Sequence, residues 1–237
     1  MFFVIKRKTL LFFFGALLAI AAAAILIRLP AAPAMSPVHR AARTVVIDAG
    51  HGGEDGGAVA LSGAVESQIN LAIAKKLDAL LQLIGEDTQM IRTEDVSVHS
   101  ANAQTLREKK VSDLKNRAAA VNAVPDAVLI SVHQNSLPSV PGVHGAQVFY
   151  ADTPKSSDIA VCVQQALNQT INTGHGKREK QIEPTIYLMK NVSCPAILVE
   201  CGFLSNPQET ERLQQASHQK KLAVSIAAGF LAADREG

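Results

Sequence analysis

Three short apolar runs in this chain each lead to a residue that can carry a charge or bind a metal, and that pattern restricts the fold more than any other feature. Residues 45–49 read Val-Val-Ile-Asp-Ala and pass through Gly50 to His51. Residues 127–132 read Ala-Val-Leu-Ile-Ser-Val and end at His133, and residues 196–199 read Ala-Ile-Leu-Val and end at Glu200. Runs this short and rich in β-branched side chains are expected as strands buried on both faces. Between 68 and 84 the apolar residues Ile69, Ile73, Leu77, Leu80, Leu81 and Ile84 share one helical face, and Gly85 stops the helix. Further helices are predicted over 113–122, 157–171 and 222–231, with another opening at Pro207, and further strands over 88–92, 147–150 and 186–189. Strand alternating with helix predicts one α/β domain over 43–237, with a central, largely parallel or mixed sheet flanked by helices.

The chain ahead of that domain has a different character. Residues 10–27 carry no charge and follow Lys6-Arg7-Lys8, so residues 1–28 are expected to be a signal-anchor or transmembrane segment. The basic end stays inside, which places everything after Arg28 on the exported side of the membrane. A cleaved signal is the alternative, with Ala32-Pro33-Ala34 as its small-residue site. Residues 29–42, rich in Ala and Pro, read as a linker. Of the 23 Lys and Arg, four flank the apolar run, so the remaining 19 face 21 Asp and Glu and the body is slightly acidic. With no basic stripe, no Trp and two Tyr, nothing marks it for nucleic acid. Residues 94–112 are polar without an apolar period and are expected as a long loop with a docking or lid role. Cys162, Cys194 and Cys201 are read as small buried apolar residues, with a Cys194–Cys201 bridge as the alternative.

His51, His133 and Glu200 at three strand ends, with Glu66 at the start of the first helix, would meet at one edge of the sheet. Two imidazoles and a carboxylate form a tetrahedral zinc site with one position open to water. A further carboxylate then serves as a proton acceptor. Each residue has a plainer role when taken alone: a polar strand end for either His, or a carboxylate favoured by the helix dipole for Glu66. Glu200 is harder to dismiss, because an apolar strand rarely ends in an ionised group that lacks a partner. His39, His99, His144, His175 and His218 read as surface residues. A non-haem iron oxygenase also uses two His and a carboxylate, but the α/β pattern and the extra Glu200 argue against it.

These residues belong to longer motifs. Val46-Ile-Asp-Ala-Gly-His-Gly-Gly-x-Asp-x-Gly-Ala58, Gly63-x-x-Glu66 with Asn70-Leu71, Ile130-Ser-Val-His-x-Asn135 and Pro195-Ala-Ile-Leu-Val-Glu-x-Gly-Phe-Leu-Ser-Asn206 resemble the zinc-dependent N-acetylmuramoyl-L-alanine amidases. The resemblance runs from about 43 to 232. It implies Zn2+ held by His51, Glu66 and His133, catalysis by Glu200, and cleavage of the amide that joins muramic acid to L-alanine in peptidoglycan. Ala49 stands where the family usually has Pro, and Cys201 follows the catalytic Glu. The anchor, the charged insertion between Arg92 and Arg117 and residues 186–192 are most similar to the germination-specific branch of endospore formers, which implies spore cortex as substrate. A vegetative wall amidase, an enzyme that needs an activating protein partner and a non-catalytic wall-binding scaffold are the other readings. Asn135 and Asn70 are expected to bond substrate or to support the site, and Arg92 and Arg117 to meet the acidic stem peptide.

Overall fold

The computed structural model describes residues 43–236, with side chains through 233. The expected membrane segment and linker lie outside those residues, and among the described residues no helix is long and apolar enough to cross a membrane. Six strands, β1 (Thr44–Ala49), β2 (Asp87–Met90), β3 (Ala127–Asn135), β4 (Gln147–Tyr150), β5 (Lys180–Gln181) and β6 (Ala196–Phe203), form one sheet in the order β2-β1-β3-β6-β4-β5. The pairs β1/β2, β1/β3, β3/β6 and β4/β5 are parallel and β4/β6 is antiparallel, so the sheet is mixed. The helices are α1 (Glu66–Leu83), α2 (Leu106–Asn122), α3 (Ser156–Thr170), α4 (Tyr187–Asn191), α5 (Pro207–Leu213) and α6 (Ala216–Glu236).

The three apolar runs become the central strands because each needs cover on both faces. Val45, Ile47, Val128, Ile130, Val132, Ile197 and Val199 point to one side and pack with Ile73 and Leu77 of α1, Val163 and Leu167 of α3, and Ile226 and Phe230 of α6. Val46, Leu129 and Leu198 point to the other and meet Ala118 and Val121 of α2 and Leu188 and Met189 of α4. Gly229 lets α6 approach α3 closely, since a Cβ there would fall 2.4 Å from the Val163 Cα.

Two expectations change. Residues 186–189 are not a strand. Ile186 and Tyr187 are exposed while the adjacent Leu188 and Met189 are both buried, and that grouping belongs to the short helix α4, not to a two-residue alternation. The polar stretch 94–112 is not one long loop either. Its second half starts α2, opened by a capping box in which the Thr105 side chain accepts from Glu108 N and Glu108 returns the bond to Thr105 N. Its first half is tied to that helix, with Val98 N and Ser97 Oγ donating to Asp113 Oδ1 at 2.8 and 2.9 Å and Asn116 Nδ2 donating to Val98 O at 2.7 Å. Cys194 and Cys201 remain separate thiols, Cys201 buried and Cys194 half-buried.

Candidate metal centre

The strand order brings the expected residues to one edge. In the β3/β6 register His133 stands opposite Glu200, and β1 on the other side of β3 leads to His51. Glu66 opens α1 beside them, and one ligand atom from each of His51, Glu66 and His133 lies within 4.8 Å of the others. Glu66 Oε1 is 3.1 Å from His133 Nδ1 and 3.4 Å from His51 Nε2. Its Oε2 accepts from Ala58 N at 2.8 Å, and Oε1 also accepts from Gln134 N at 3.1 Å and Asn70 Nδ2 at 3.2 Å. Burial works against the Glu66 charge, but the His133 hydrogen bond and the two imidazoles hold its carboxyl at about 2. His133 is raised, against its burial, by the Glu66 hydrogen bond and the charges of Glu200, Glu66 and Asp48.

Space for the cluster comes from glycine. A Cβ on Gly50 would lie 2.2 Å from the His133 ring, and one on Gly57, which holds φ at 70°, would lie 2.5 Å from Glu66 Oε2 and 2.8 Å from His51 Cδ2. His51 itself takes a left-handed φ of 61°, and two buried arginines hold the turn that demands it. Arg92 donates to Ala49 O (2.8 Å), Gly50 O (3.0 Å) and Ser67 O (2.8 Å). Arg117 donates to Ala49 O (3.0 Å) and His51 O (2.7 Å), and pairs with Asp48 and Asp113. Ser131 Oγ donates to the second oxygen of Asp48 at 2.6 Å. Burial raises the Asp48 carboxyl, but Arg117 prevails and holds it below its usual range.

The expectation that Arg92 and Arg117 meet the stem peptide is thereby corrected: they are 3% and 2% exposed, and their guanidinium groups hold backbone carbonyls and carboxylates. Asn70, fully buried, supports the site by bonding Glu66 and, at 3.1 Å, Gly50 O. Asn135, half-buried at the end of β3, makes no side-chain hydrogen bond among the described residues. His144 and His175 are exposed and His99 and His218 half-buried, and none joins the cluster; His39 lies outside the described residues. Sequence reasoning missed Asp55, whose Oδ2 lies 3.0 Å from His51 Nδ1. The contact to His51, assisted by Lys110, holds Asp55 below the ordinary carboxylate range. Its place four residues after His51 was the available signal.

Glu200 differs from Glu66. Its Oε2 is buried with no hydrogen-bonding partner among the described residues. Burial, helped by the charge of Glu66 and opposed by the two imidazoles, pushes its carboxyl up to about 7. Near neutrality it can therefore take up a proton and release it.

The donor set fits a zinc ion. Two imidazoles and a carboxylate are the protein ligands of an open tetrahedral site. With Zn–N bonds of about 2.0–2.1 Å at the tetrahedral angle, two ring centroids fall roughly 5.2 Å apart. Those of His51 and His133 are 5.1 Å apart, with planes at 75°. Asp55 behind His51 is the carboxylate that such a ligand commonly has on its other ring nitrogen.

Residues 45–232 match the family described as N-acetylmuramoyl-L-alanine amidase. The germination-specific N-acetylmuramoyl-L-alanine amidase of Bacillus subtilis is 32% identical over 189 residues, which are 80% of this chain and 78% of that protein. Among solved structures, the CwlD amidase from Clostridioides difficile, in complex with the GerS lipoprotein, is 33% identical with a TM-score of 0.78, covering 82% of this chain and 100% of that one. The amidase AmiC2 of Nostoc punctiforme is 29% identical with a TM-score of 0.69, covering 80% and 96%. The chain belongs to the N-acetylmuramoyl-L-alanine amidase family.

Proposed function

We propose that this protein is a zinc-dependent hydrolase that cleaves the amide between N-acetylmuramic acid and L-alanine in peptidoglycan, with the spore cortex as its substrate. The observation that carries the reading is the convergence of His51, Glu66 and His133 on one point, with the unpartnered carboxylate of Glu200 facing His133 from the neighbouring strand. A zinc ion held by those three ligands would supply Lewis acidity, lowering the pKa of a water toward about 7 and polarising the carbonyl of the scissile amide. Glu200 accepts the proton of the attacking water and passes it to the nitrogen of L-alanine as the C–N bond breaks. Glu66 binds through a carboxylate already ionised at neutral pH, and Asn70 and the Ala58 and Gln134 amides keep it aimed. Asn135, with its side chain uncommitted at the same strand end, bonds the substrate.

Similarity to a germination-specific relative supports the cortex assignment, and the complex of the CwlD relative with a lipoprotein supports an activating protein partner. The uncharged run at 10–27 supports an exported enzyme held at the membrane. The test is mass spectrometry of cortex and vegetative peptidoglycan digested by the purified protein with and without zinc, beside Glu200→Ala. Zinc-dependent release of stem peptides that begin with L-alanine, lost in the variant, is the expected result. Equal turnover of both walls would refute the cortex preference. No release despite stoichiometric zinc would favour the partner-dependent or scaffold reading, and bound iron without zinc would overturn the hydrolase.

A further inference from the structure

A second pair of imidazoles stands apart from the metal centre. His144 in the β3–β4 connection and His175 in the α3–β5 connection lie with ring centroids 4.2 Å apart and planes at 61°, and both are exposed. Each Nδ1 faces a backbone carbonyl two residues upstream: Gly142 O is 2.9 Å from His144 Nδ1, and Thr173 O is 3.2 Å from His175 Nδ1. A carbonyl can only accept, so Nδ1 is the donor in each contact, and the tautomer that makes it leaves the lone pair on Nε2. A histidine that binds metal commonly has its other ring N–H committed in this way.

The two connections are locked together beneath the rings. The buried side chain of Asn172 accepts from Ala146 N and donates to Ala146 O, both at 2.8 Å, while His175 N donates to Asn172 O at 3.0 Å. Lys177 Nζ donates to Gly145 O at 2.8 Å, and the Asn168 side chain brackets the Lys177 backbone from both sides. Gly145 holds φ at 87°, and a Cβ there would lie 3.1 Å from His175 Nε2, so that nitrogen lies over the residue that follows His144. The positive charge of Lys177 is offset locally by Glu209, which accepts from Gly145 N at 2.9 Å. Ligands positioned this firmly lose little entropy on binding an ion.

We propose that His144 and His175 form a second metal site, which takes a divalent ion that favours imidazole, such as Zn2+, Ni2+ or Cu2+, in a water-completed shell with the two nitrogens at about a right angle, since that angle brings ring centroids to roughly 4.5 Å, near the 4.2 Å of this pair. The ion clips the β3–β4 connection to the α3–β5 connection. Gln147, three residues after His144, pairs in register with Glu200, so the clip braces the wall of the sheet edge that carries the proposed catalytic carboxylate. With two protein ligands and the remaining positions open to water, it binds more weakly than the three-ligand centre.

The test is zinc stoichiometry and calorimetric titration with Zn2+ of the protein without an affinity tag, beside His144→Gln, His175→Gln and the double variant. The expected result is two ions in the parent protein, one tight and one weaker, and one ion in each variant with the tight phase unchanged. In long-range 1H–15N spectra the Nε2 signals of both residues should move together during the weaker phase. A single ion in all four proteins overturns the proposal. A second ion that survives the double substitution, or is lost with only one of the two, also overturns it.

Discussion

Replacing Glu200 with Gln is expected to stabilise the metal-free protein at alkaline pH while abolishing hydrolysis, and the size of the effect follows from burial. The carboxyl titrates at 4.5 when unperturbed and at about 7 in the folded protein. A raised carboxyl binds its proton more tightly folded than unfolded, so its contribution to stability is fully present below 4.5 and is lost as pH rises through 7. At about 1.4 kcal/mol per pH unit the loss is about 3 kcal/mol by pH 8. Gln has no charge to bury and escapes it. His133 is raised against its burial by the Glu66 hydrogen bond, and the Glu200 charge adds to this in the parent protein alone, so the difference between the two proteins reads Glu200 together with its coupling to His133. Urea unfolding in chelator should be followed by circular dichroism, because the chain has no Trp. The two proteins should coincide at pH 4.5. At pH 8 the variant's midpoint should lie roughly 1.5 M higher, for a slope of about 2 kcal/mol/M. Zinc should shrink the gap, because a nearby cation favours the ionised carboxylate. Parallel stability curves from pH 4.5 to 8, or a less stable variant at pH 8, would refute the assignment of Glu200 as a buried, unpartnered acid.

Other perturbations separate the layers around the site. Gly50→Ala puts a methyl 2.2 Å from the His133 ring, and zinc affinity measured by chelator competition should fall at least about ten-fold with the fold intact; unchanged affinity would show that the ring is not confined there. Arg117→Met leaves Asp48 charged and buried, a loss of about 3–5 kcal/mol. The melting temperature should drop by roughly 10 °C, and a drop below about 2 °C would mean that the Asp48 pair does not hold this edge together. Asp55→Asn should weaken zinc binding about 10–100-fold with little change in urea stability, since Asp55 is partly exposed; equal affinity would remove it as the residue that orients His51.

The central strands were legible because burial on both faces leaves an unmistakable apolar run, and His51, His133 and Glu200 because they stand where those runs stop. The same reasoning failed at 186–189, where four apolar residues are too few to separate a turn of helix from a strand. It failed at 94–112 because α2 packs mainly through Ala118 and Val121 late in the helix. The first turns of α2 advertise themselves only through Thr105 and Glu108. Arg92 and Arg117 were misplaced for a different reason. Nothing local to either says that its charge will face inward, and for Arg117 the clue lay elsewhere, in Asp48, a carboxylate inside an apolar strand that had to have a buried cation.

The parallel pairing of β1 with β3 also fixes an order of events. Asp48 and Ser131, whose contact joins the two strands beside the centre, are 83 residues apart in the chain, and parallel neighbours meet only after the whole crossover between them has been laid down. Until then His51 and His133 are the ends of a long flexible loop, and each can hold an ion no better than a lone imidazole. In the proposed zinc enzyme, capture of the metal by all three ligands would thus be a late step, completed when the central sheet closes. In a refolding experiment the appearance of tight zinc binding would time the closure of this sheet.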